Sequence, residues 1–341
     1  MLKKYKYFFT NTGPKTLFNS FFNFRHASKS LLEYKSFGEL NKNKKFYIIR
    51  RHPSAGLFSN ITFILNHLKI CEDMNFIPIV DMENYPTIYN EKNFLKKERN
   101  SWEYYFKKFN NYSLSEIYNS KNVFLSKTKF ERYMALDMTN PAVKNQFKKI
   151  KIKDEIIKKA EKFYKKNLDF KNNKILGIHL RGSTYKTARG HAFPPTPGIM
   201  IEHIESLIKE YKYNKIFIVT EEQDYLNKLL NHFGKKCVYY NSYRMRSLDS
   251  FKIYPRRKHR YLLGQEILIE AIILSKCEGL CYIKSNVISA AILIAKKKLK
   301  LHEIYLGLNS RNRFIAPILW YLKKMLPKEF GGLKIIKKNG Q

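Results

Sequence analysis

From residue 173 onward, apolar residues fall into short blocks that alternate between two spacings. Residues 174–180, 215–220, 237–240 and 279–283 are brief Ile-, Val-, Leu- and Phe-rich runs, which predicts strands. Between them, residues 199–211, 226–233, 262–277 and 286–297 carry apolar positions at helical spacing, and a last strand is expected near 303–306. Strands alternating with helices predict a parallel sheet covered by helices, as in doubly wound nucleotide-binding domains. The first half opens the same way. Residues 44–50 read as a strand, and a loop containing Pro53 and Gly56 follows. A helix then shows in Ile61, Ile64, Leu65 and Leu68, with Asn60 as its expected N-cap, and residues 76–80 form the next strand. From 83 to about 150 the pattern is irregular and rich in Tyr, Asn and Phe, with a partly buried aromatic helix expected over 100–109. A basic helix follows over 154–166. No internal repeat suggests a solenoid.

Composition adds one strong fact. With 65 Lys and Arg against 28 Asp and Glu the formal charge is +37, which attracts polyanions such as nucleic acid, an anionic membrane or a phosphorylated substrate. Part of the lysine excess reflects a compositional bias shared with asparagine and isoleucine. Cys71, Cys237, Cys277 and Cys281 are too few and too irregular for a disulfide framework, so a reducing, cytoplasmic setting and no structural zinc are expected. No run approaches a membrane span, and the basic N-terminus is broken by Asn, Thr, Gly and Pro where a signal peptide needs apolar residues.

The candidate chemistry sits where strands end. In GIHLRGSTYK, residues 177–186, His179 and Arg181 are two apart and leave one face of a strand at its carboxyl end. Arg181 can fork two hydrogen bonds onto a diphosphate, Lys186 can add a point charge, and Ser183 adds a hydroxyl. A core histidine and a surface arginine are the alternative. In IKSNVISAA, Ser285 and Asn286 open a helix whose free N–H groups suit anionic oxygens, although Ser285 also fits a plain cap. Glu270 lies inside the apolar helix ILIEAIILS, where a carboxylate needs a partner. The N1–H and N2–H donors of guanine would serve, unless Glu270 faces solvent.

Taken in order, AGLFSN, WEYYF, GIHLRG, GHAFPP, IVTEE, the 254–280 stretch and SNVISAA resemble the GDP-fucose-dependent fucosyltransferases. That superfamily contains core α-1,6-, nodulation and protein O-fucosyltransferases, and the likeness, closest to bacterial members, runs from about Tyr47 to Ser289. It implies an α/β chain of GT-B architecture, two Rossmann-like domains facing a cleft with the donor held mainly by the second. Residues 1–43 would be a basic aromatic extension, 44–168 the N-terminal acceptor-side domain, 173–306 the GDP-sugar domain and 307–341 a basic amphipathic tail. By position, His179 and Glu270 would contact guanine, Arg181 the phosphates, and Ser285 with Asn286 the diphosphate. Gly56 and Ser59 would belong to the loop heading the N-terminal domain, with Asn60 approaching the donor from there; Arg181 and Asn60 are the catalytic candidates. Ser183 and Thr184 follow Gly182 where relatives often carry Thr-Asp, Gly182 replaces a second arginine of some relatives, and Arg189 stands near a glutamate proposed as base.

The resemblance implies inverting transfer of fucose, or a related sugar, from a GDP-sugar to a hydroxyl of a glycan or lipid-linked glycan. No metal or other cofactor is expected. The two basic, aromatic chain ends, 1–24 and 315–338, add an anionic membrane surface as a candidate partner at the inner face of the membrane, against the alternative of an ordinary terminal helix. Other readings are the same fold with another nucleotide sugar, an inactive lectin-like descendant, or a basic nucleic-acid-binding protein. The last lacks zinc-finger spacing, an RNP-type motif and a basic helical stripe, so no nucleic-acid partner is expected.

Overall fold

The computed structural model describes residues 32–51, 53, 55–92, 95, 98–126, 141–182, 184–244 and 250–336. The fold is mixed α/β, and the chain divides into two compact units, residues 1–153 with 258–264 and residues 154–257 with 265–341.

The first unit holds a four-stranded sheet of β1 (Leu32–Lys35), β2 (Phe46–Ile49), β3 (Ile77–Val80) and β4 (Val123–Ser126), in the order β1-β4-β2-β3. β2 runs parallel to both β3 and β4, while β1 is antiparallel to β4. The expected N-terminal extension therefore ends inside a sheet, because Leu32–Lys35 pairs residue for residue with Val123–Ser126. Helix α1 (Leu57–Met74) starts one turn before the expected Asn60 cap, with Gly56 as its extended N-cap. Leu57 and Phe58 are buried there, so their apolar surface draws the first turn into the helix. Short helices α2 (Leu114–Ile117) and α3 (Pro141–Phe147) complete the unit. The aromatic helix expected over 100–109 is only a 3-10 turn, Ser101–Tyr104. Asn100 caps it and its amide also donates to Val80 O at 2.7 Å, while Trp102 stacks on Phe106 at 4.1 Å. Stacking, not helical periodicity, sets the spacing of these rings. Tyr105 lies face to face with Tyr261, centroids 5.8 Å apart, and its hydroxyl donates to Tyr261 O, which is why residues 258–264 belong to this unit.

The second unit carries five strands, β5 (Ile175–Leu180), β6 (Lys215–Thr220), β7 (Cys237–Tyr239), β8 (Gly279–Tyr282) and β9 (Lys300–Glu303). All are parallel, in the order β7-β6-β5-β8-β9. Helices α4 (Asp154–Asn167), α5 (Pro197–Tyr211), α6 (Gln223–Phe233), α7 (His259–Leu274, of this unit from Gln265 on), α8 (Asn286–Ile294) and α9 (Ala316–Met325) accompany them. Every residue of β5 is buried, as the central strand of a helix-covered parallel sheet must be. The last strand lies three residues before its expected place, and Ile304 and Leu306 are buried as chain leaving the sheet. Helix α4, expected at the end of the first domain, belongs to the second unit: Phe163 packs on Phe217 and Tyr240, and Lys159 donates to Gln265 at 2.7 Å.

The segment expected to be a separate tail after 306 is built into the second unit. Trp320 and Leu333 lie in one core with Leu180, Phe193 and Met200, and the Trp320 indole donates to Pro194 O at 2.8 Å. Trp320→Ala is therefore expected to destabilise the fold by about 3–5 kcal/mol, the range for a deleted core aromatic. A urea-unfolding midpoint equal to that of the parent would show the segment to be an appendage.

Candidate functional site

The two sequence clusters expected to bind phosphate, 106 residues apart, meet in the second unit. β5 and β8 are adjacent and parallel, with His179 in register with Tyr282, so both chains leave the sheet at the same edge. His179 is 3% exposed, and its Nδ1 lies 3.3 Å from Ser285 Oγ. Ser285 is the N-cap of α8 and its Oγ accepts from Ile288 N at 3.4 Å. Ser285 is thus the helix cap of the plain alternative, and the same hydroxyl also holds the imidazole. Asn286 is the first residue of α8 and is exposed, as is Lys284 before it. Burial, with Arg181 adding to it, pushes His179 down to about 3, so the ring is neutral at physiological pH.

Arg181 is only half-buried, and its guanidinium lies 5.0 Å from the Tyr185 ring. Its Nε is buried without a hydrogen-bond partner among the described residues, the Glu221 carboxylate standing off at 3.9 Å. His191, at the start of the HAFPP run, packs on Tyr185 at 4.7 Å and is held below its usual range by burial and by Arg181. Ser183 lies outside the described residues.

Lys186 is already engaged. Its Nζ donates to both Glu222 oxygens, at 3.2 and 3.4 Å, and lies over the rings of Tyr225 and Trp320. A Cβ at Gly182 would overlap the same Glu222 carboxylate, so any larger residue here would displace Glu222 from its present position beside Lys186. Glu221 and Glu222 were not singled out in the sequence, yet they directly follow β6, where the strand-end rule that selects His179 applies equally. They supply the carboxylates that the loop after β5 lacks. That loop is pinned by the segment after β9: Phe193 N donates to Gly307 O at 3.0 Å, Asn309 N to His191 O at 2.8 Å and Asn309 Nδ2 to Lys186 O at 3.2 Å.

Glu270 is not a solvent-facing residue. It is 3% exposed on α7, and its partners come from its own chain: Ser242 Oγ donates at 2.7 Å and Arg244 Nη2 stands at 3.5 Å. Burial outweighs both and raises the carboxyl to about 7. One turn earlier, Glu266 accepts two hydrogen bonds from Arg256, at 2.6 and 2.7 Å, and one from Tyr243 N. A Cβ on Gly177 would meet Leu274 at 2.8 Å, so this end of α7 lies against the middle of β5. Since α7 runs back along the sheet, one turn, about 6 Å, brings Glu270 roughly level with His179.

In the first unit, Gly56, Ser59 and Asn60 do come together, through a residue that sequence reasoning passed over. Arg51 is buried over the Phe63 ring at 4.5 Å, and donates from Nε to Asn60 Oδ1 at 3.2 Å and from Nη2 to Ser59 Oγ at 3.1 Å. Asn60 is itself buried and donates its N–H to Gly56 O at 3.0 Å.

No protein-family model and no curated protein matches the sequence. Among solved structures, NodZ α-1,6-fucosyltransferase co-crystallised with GDP matches with a TM-score of 0.51 at 13% identity, over 77% of this chain and 96% of that one. Fucosyltransferase NodZ from Bradyrhizobium is matched at 0.46 and 14% identity, over 74% and 94% of the two chains. POFUT1 in complex with GDP-fucose is matched at 0.45 and 9% identity, over 77% and 98%. These come from the group that the sequence motifs resemble, and the first of them carries the conclusion on fold: this chain has the α/β fold of the GDP-bound NodZ structure.

The buried neutral imidazoles fix a pH response. His179, and His67 beneath the first sheet, both sit near 3 in the native protein against an ordinary 6.5. Between those values the unfolded chain takes up protons that the native chain refuses, so stability is lost as pH falls below about 6.5. Melting midpoints should drop between pH about 7 and about 5, and His179→Asn should shrink that drop. A variant with the parent's full pH slope would remove His179 as its source.

Proposed function

We propose that the protein is an inverting, metal-independent glycosyltransferase that moves fucose, or a related sugar, from a GDP-sugar to a glycan hydroxyl. The observation that carries this reading is the convergence of Arg181, the His179–Ser285 hydrogen bond and the N-terminus of α8 at one sheet edge. The fold it shares with GDP-bound NodZ supports the choice of nucleotide. A GT-B arrangement, with the donor held by the second unit and a cleft between two Rossmann-like domains, is part of the same proposal. So is a cytoplasmic setting, with a free or lipid-linked glycan as acceptor in cell-surface polysaccharide or glycolipid synthesis.

In this mechanism the bond from the sugar's anomeric carbon to the diphosphate oxygen breaks, and its electron pair leaves with GDP. Arg181 meets the growing negative charge with a planar cation whose Nε still lacks a hydrogen bond, and the free N–H groups that open α8 face the same anion. These fixed positive groups do the work for which other transferases use a divalent cation. The acceptor hydroxyl attacks the opposite face of the sugar, which inverts the anomeric centre, and its proton passes to a base or to water. Charge stabilisation at the leaving group lets bond breaking run ahead of attack, so a strong base is not required. Asn60 is assigned a contact with the donor, its side chain oriented by Arg51.

Guanine recognition falls to Glu270 and His179. The Glu270 carboxylate accepts from N1–H and N2–H by giving up its loose contact with Arg244, the longer of its two. Binding those donors favours the ionised carboxylate, whose native value lies at about 7. GDP binding is therefore expected to release a proton near neutrality and to tighten as pH rises through about 7. Titration calorimetry in buffers of different ionisation enthalpy reads that proton directly, and buffer-independent heats would detach Glu270 from the base.

Thermal-shift screening against nucleotide sugars tests the whole reading, because a ligand that binds only the native state raises its midpoint. A GDP-sugar should raise it and UDP-sugars should not. Glu270→Gln should weaken GDP by at least about tenfold while leaving UDP nearly unchanged, since an amide N–H then faces a donor. Arg181→Ala should lower transfer by about 10²–10³-fold with the melting midpoint kept, and Arg181→Lys should recover little because a point charge cannot fork. Transfer at the parent rate in Arg181→Ala would exclude the proposed stabilisation.

A further inference from the structure

Helix α9 is apolar on two sides, and only one of them is covered. Its inner face places Ala316 and Trp320 in the body of the second unit. On the opposite side Ile315, Ile318, Tyr321, Leu322 and Met325 recur at three- and four-residue spacing, and all are exposed, Met325 at 82%. Phe314, directly before the helix, is 70% exposed, and Phe330, in the turn after it, is 77% exposed. Side chains of this size are rarely left in water together, and a contiguous apolar patch marks a surface that meets something apolar.

The rim of the strip limits what that can be. Arg311, Arg313, Lys324, Lys328 and Lys334 in the same segment are exposed, Lys328 standing 3.6 Å from Glu202, and Glu329 is the single acidic residue in the sequence from 307 to 336. A nucleic acid would use the cations but leave the apolar strip wet. A second copy of the chain would bring like charges together on a protein that already carries +37. An anionic lipid surface matches both features, acyl chains for the strip and headgroups for the rim. The geometry also fits lying on a bilayer rather than crossing it: a ten-residue helix is about 15 Å long, half of what a span needs. Among the described residues no helix is long and apolar enough to cross a membrane.

We propose that the outer face of α9 docks on an anionic bilayer, with Phe314, Ile318, Leu322, Met325 and Phe330 entering the acyl boundary and the surrounding Arg and Lys meeting the headgroups. Because α9 is anchored to the body through Trp320, and the segment leading to it pins the loop that carries Lys186, docking would fix the candidate donor site at a set height above the membrane. The proposal does not rest on the donor reading, since vesicle binding requires neither nucleotide nor transfer.

Truncation is a poor test, because removing residues after 313 would also remove Trp320 and Leu333 from the core. The full chain should instead be co-sedimented with vesicles of phosphatidylcholine containing phosphatidylglycerol, and with phosphatidylcholine alone. Binding to the anionic vesicles is expected, with release at high salt. Leu322→Glu combined with Met325→Glu should weaken it by at least about tenfold with the melting midpoint kept, since both side chains start in water. As an independent readout, Leu322→Trp should shift its emission to shorter wavelength when anionic vesicles are added. Absence of binding to anionic vesicles, or undiminished binding of the double glutamate variant, overturns the proposal. So does vesicle-free self-association that the double variant abolishes, which would assign the face to a second copy.

Discussion

The constraint on which the candidate site depends is the burial of β5 on both faces. Flanked by β6 and β8 in parallel register, β5 spends its backbone donors and acceptors on its neighbours and its side chains on apolar packing. Polar chemistry is confined to where the strand runs out, and there it begins at once: His179 is the last residue but one of β5, and Arg181 and the loop to Lys186 follow directly. The same rule acts at β6 and β8, whose ends deliver Glu221, Glu222 and Ser285 to the same edge.

A chain of such high positive charge buries few carboxylates, and those near the candidate site are matched to cations in its own sequence. Glu266 has Arg256, Glu270 has Arg244 and Glu222 has Lys186. The pairings are unequal. Arg256 holds Glu266 through two short hydrogen bonds, whereas Arg244 touches Glu270 at 3.5 Å, and burial dominates that carboxyl's proton affinity. A loosely paired buried carboxylate can change partners at modest cost, whereas a bidentate pair cannot. Arg181, half-buried and with a buried Nε that lacks an acceptor among the described residues, is suited to receive an anion; the Nε of Arg244 beside Glu270 is likewise without one.

The segment after β9 joins these features to the surface. Asn309 and Gly307 hold the loop that follows β5, Trp320 fills the core beside Lys186, and α9 turns its other apolar face outward. One stretch of chain thus braces the site from within and presents exposed apolar side chains without.

The alternation of apolar blocks determined the strands and helices of the second half, because buried parallel strands and amphipathic helices must repeat their apolar residues at fixed spacing. It also determined which residues stand at strand ends, and so His179, Arg181 and Ser285 were legible. The aromatic region over 100–109 was not, since ring stacking has no sequence period. Partners distant in the chain were equally invisible: Arg51 on Asn60 and Ser59, Arg244 on Glu270, Glu222 against Gly182. Whether a charged side chain is free or already paired depends on which segments the fold brings within about 4 Å, and local sequence contains no measure of that distance. The basic, aromatic character of the C-terminal segment could be read directly; only tertiary packing decided that Trp320 turns inward and Met325 outward, because both sides of α9 are apolar and the sequence alone does not say which one the body covers.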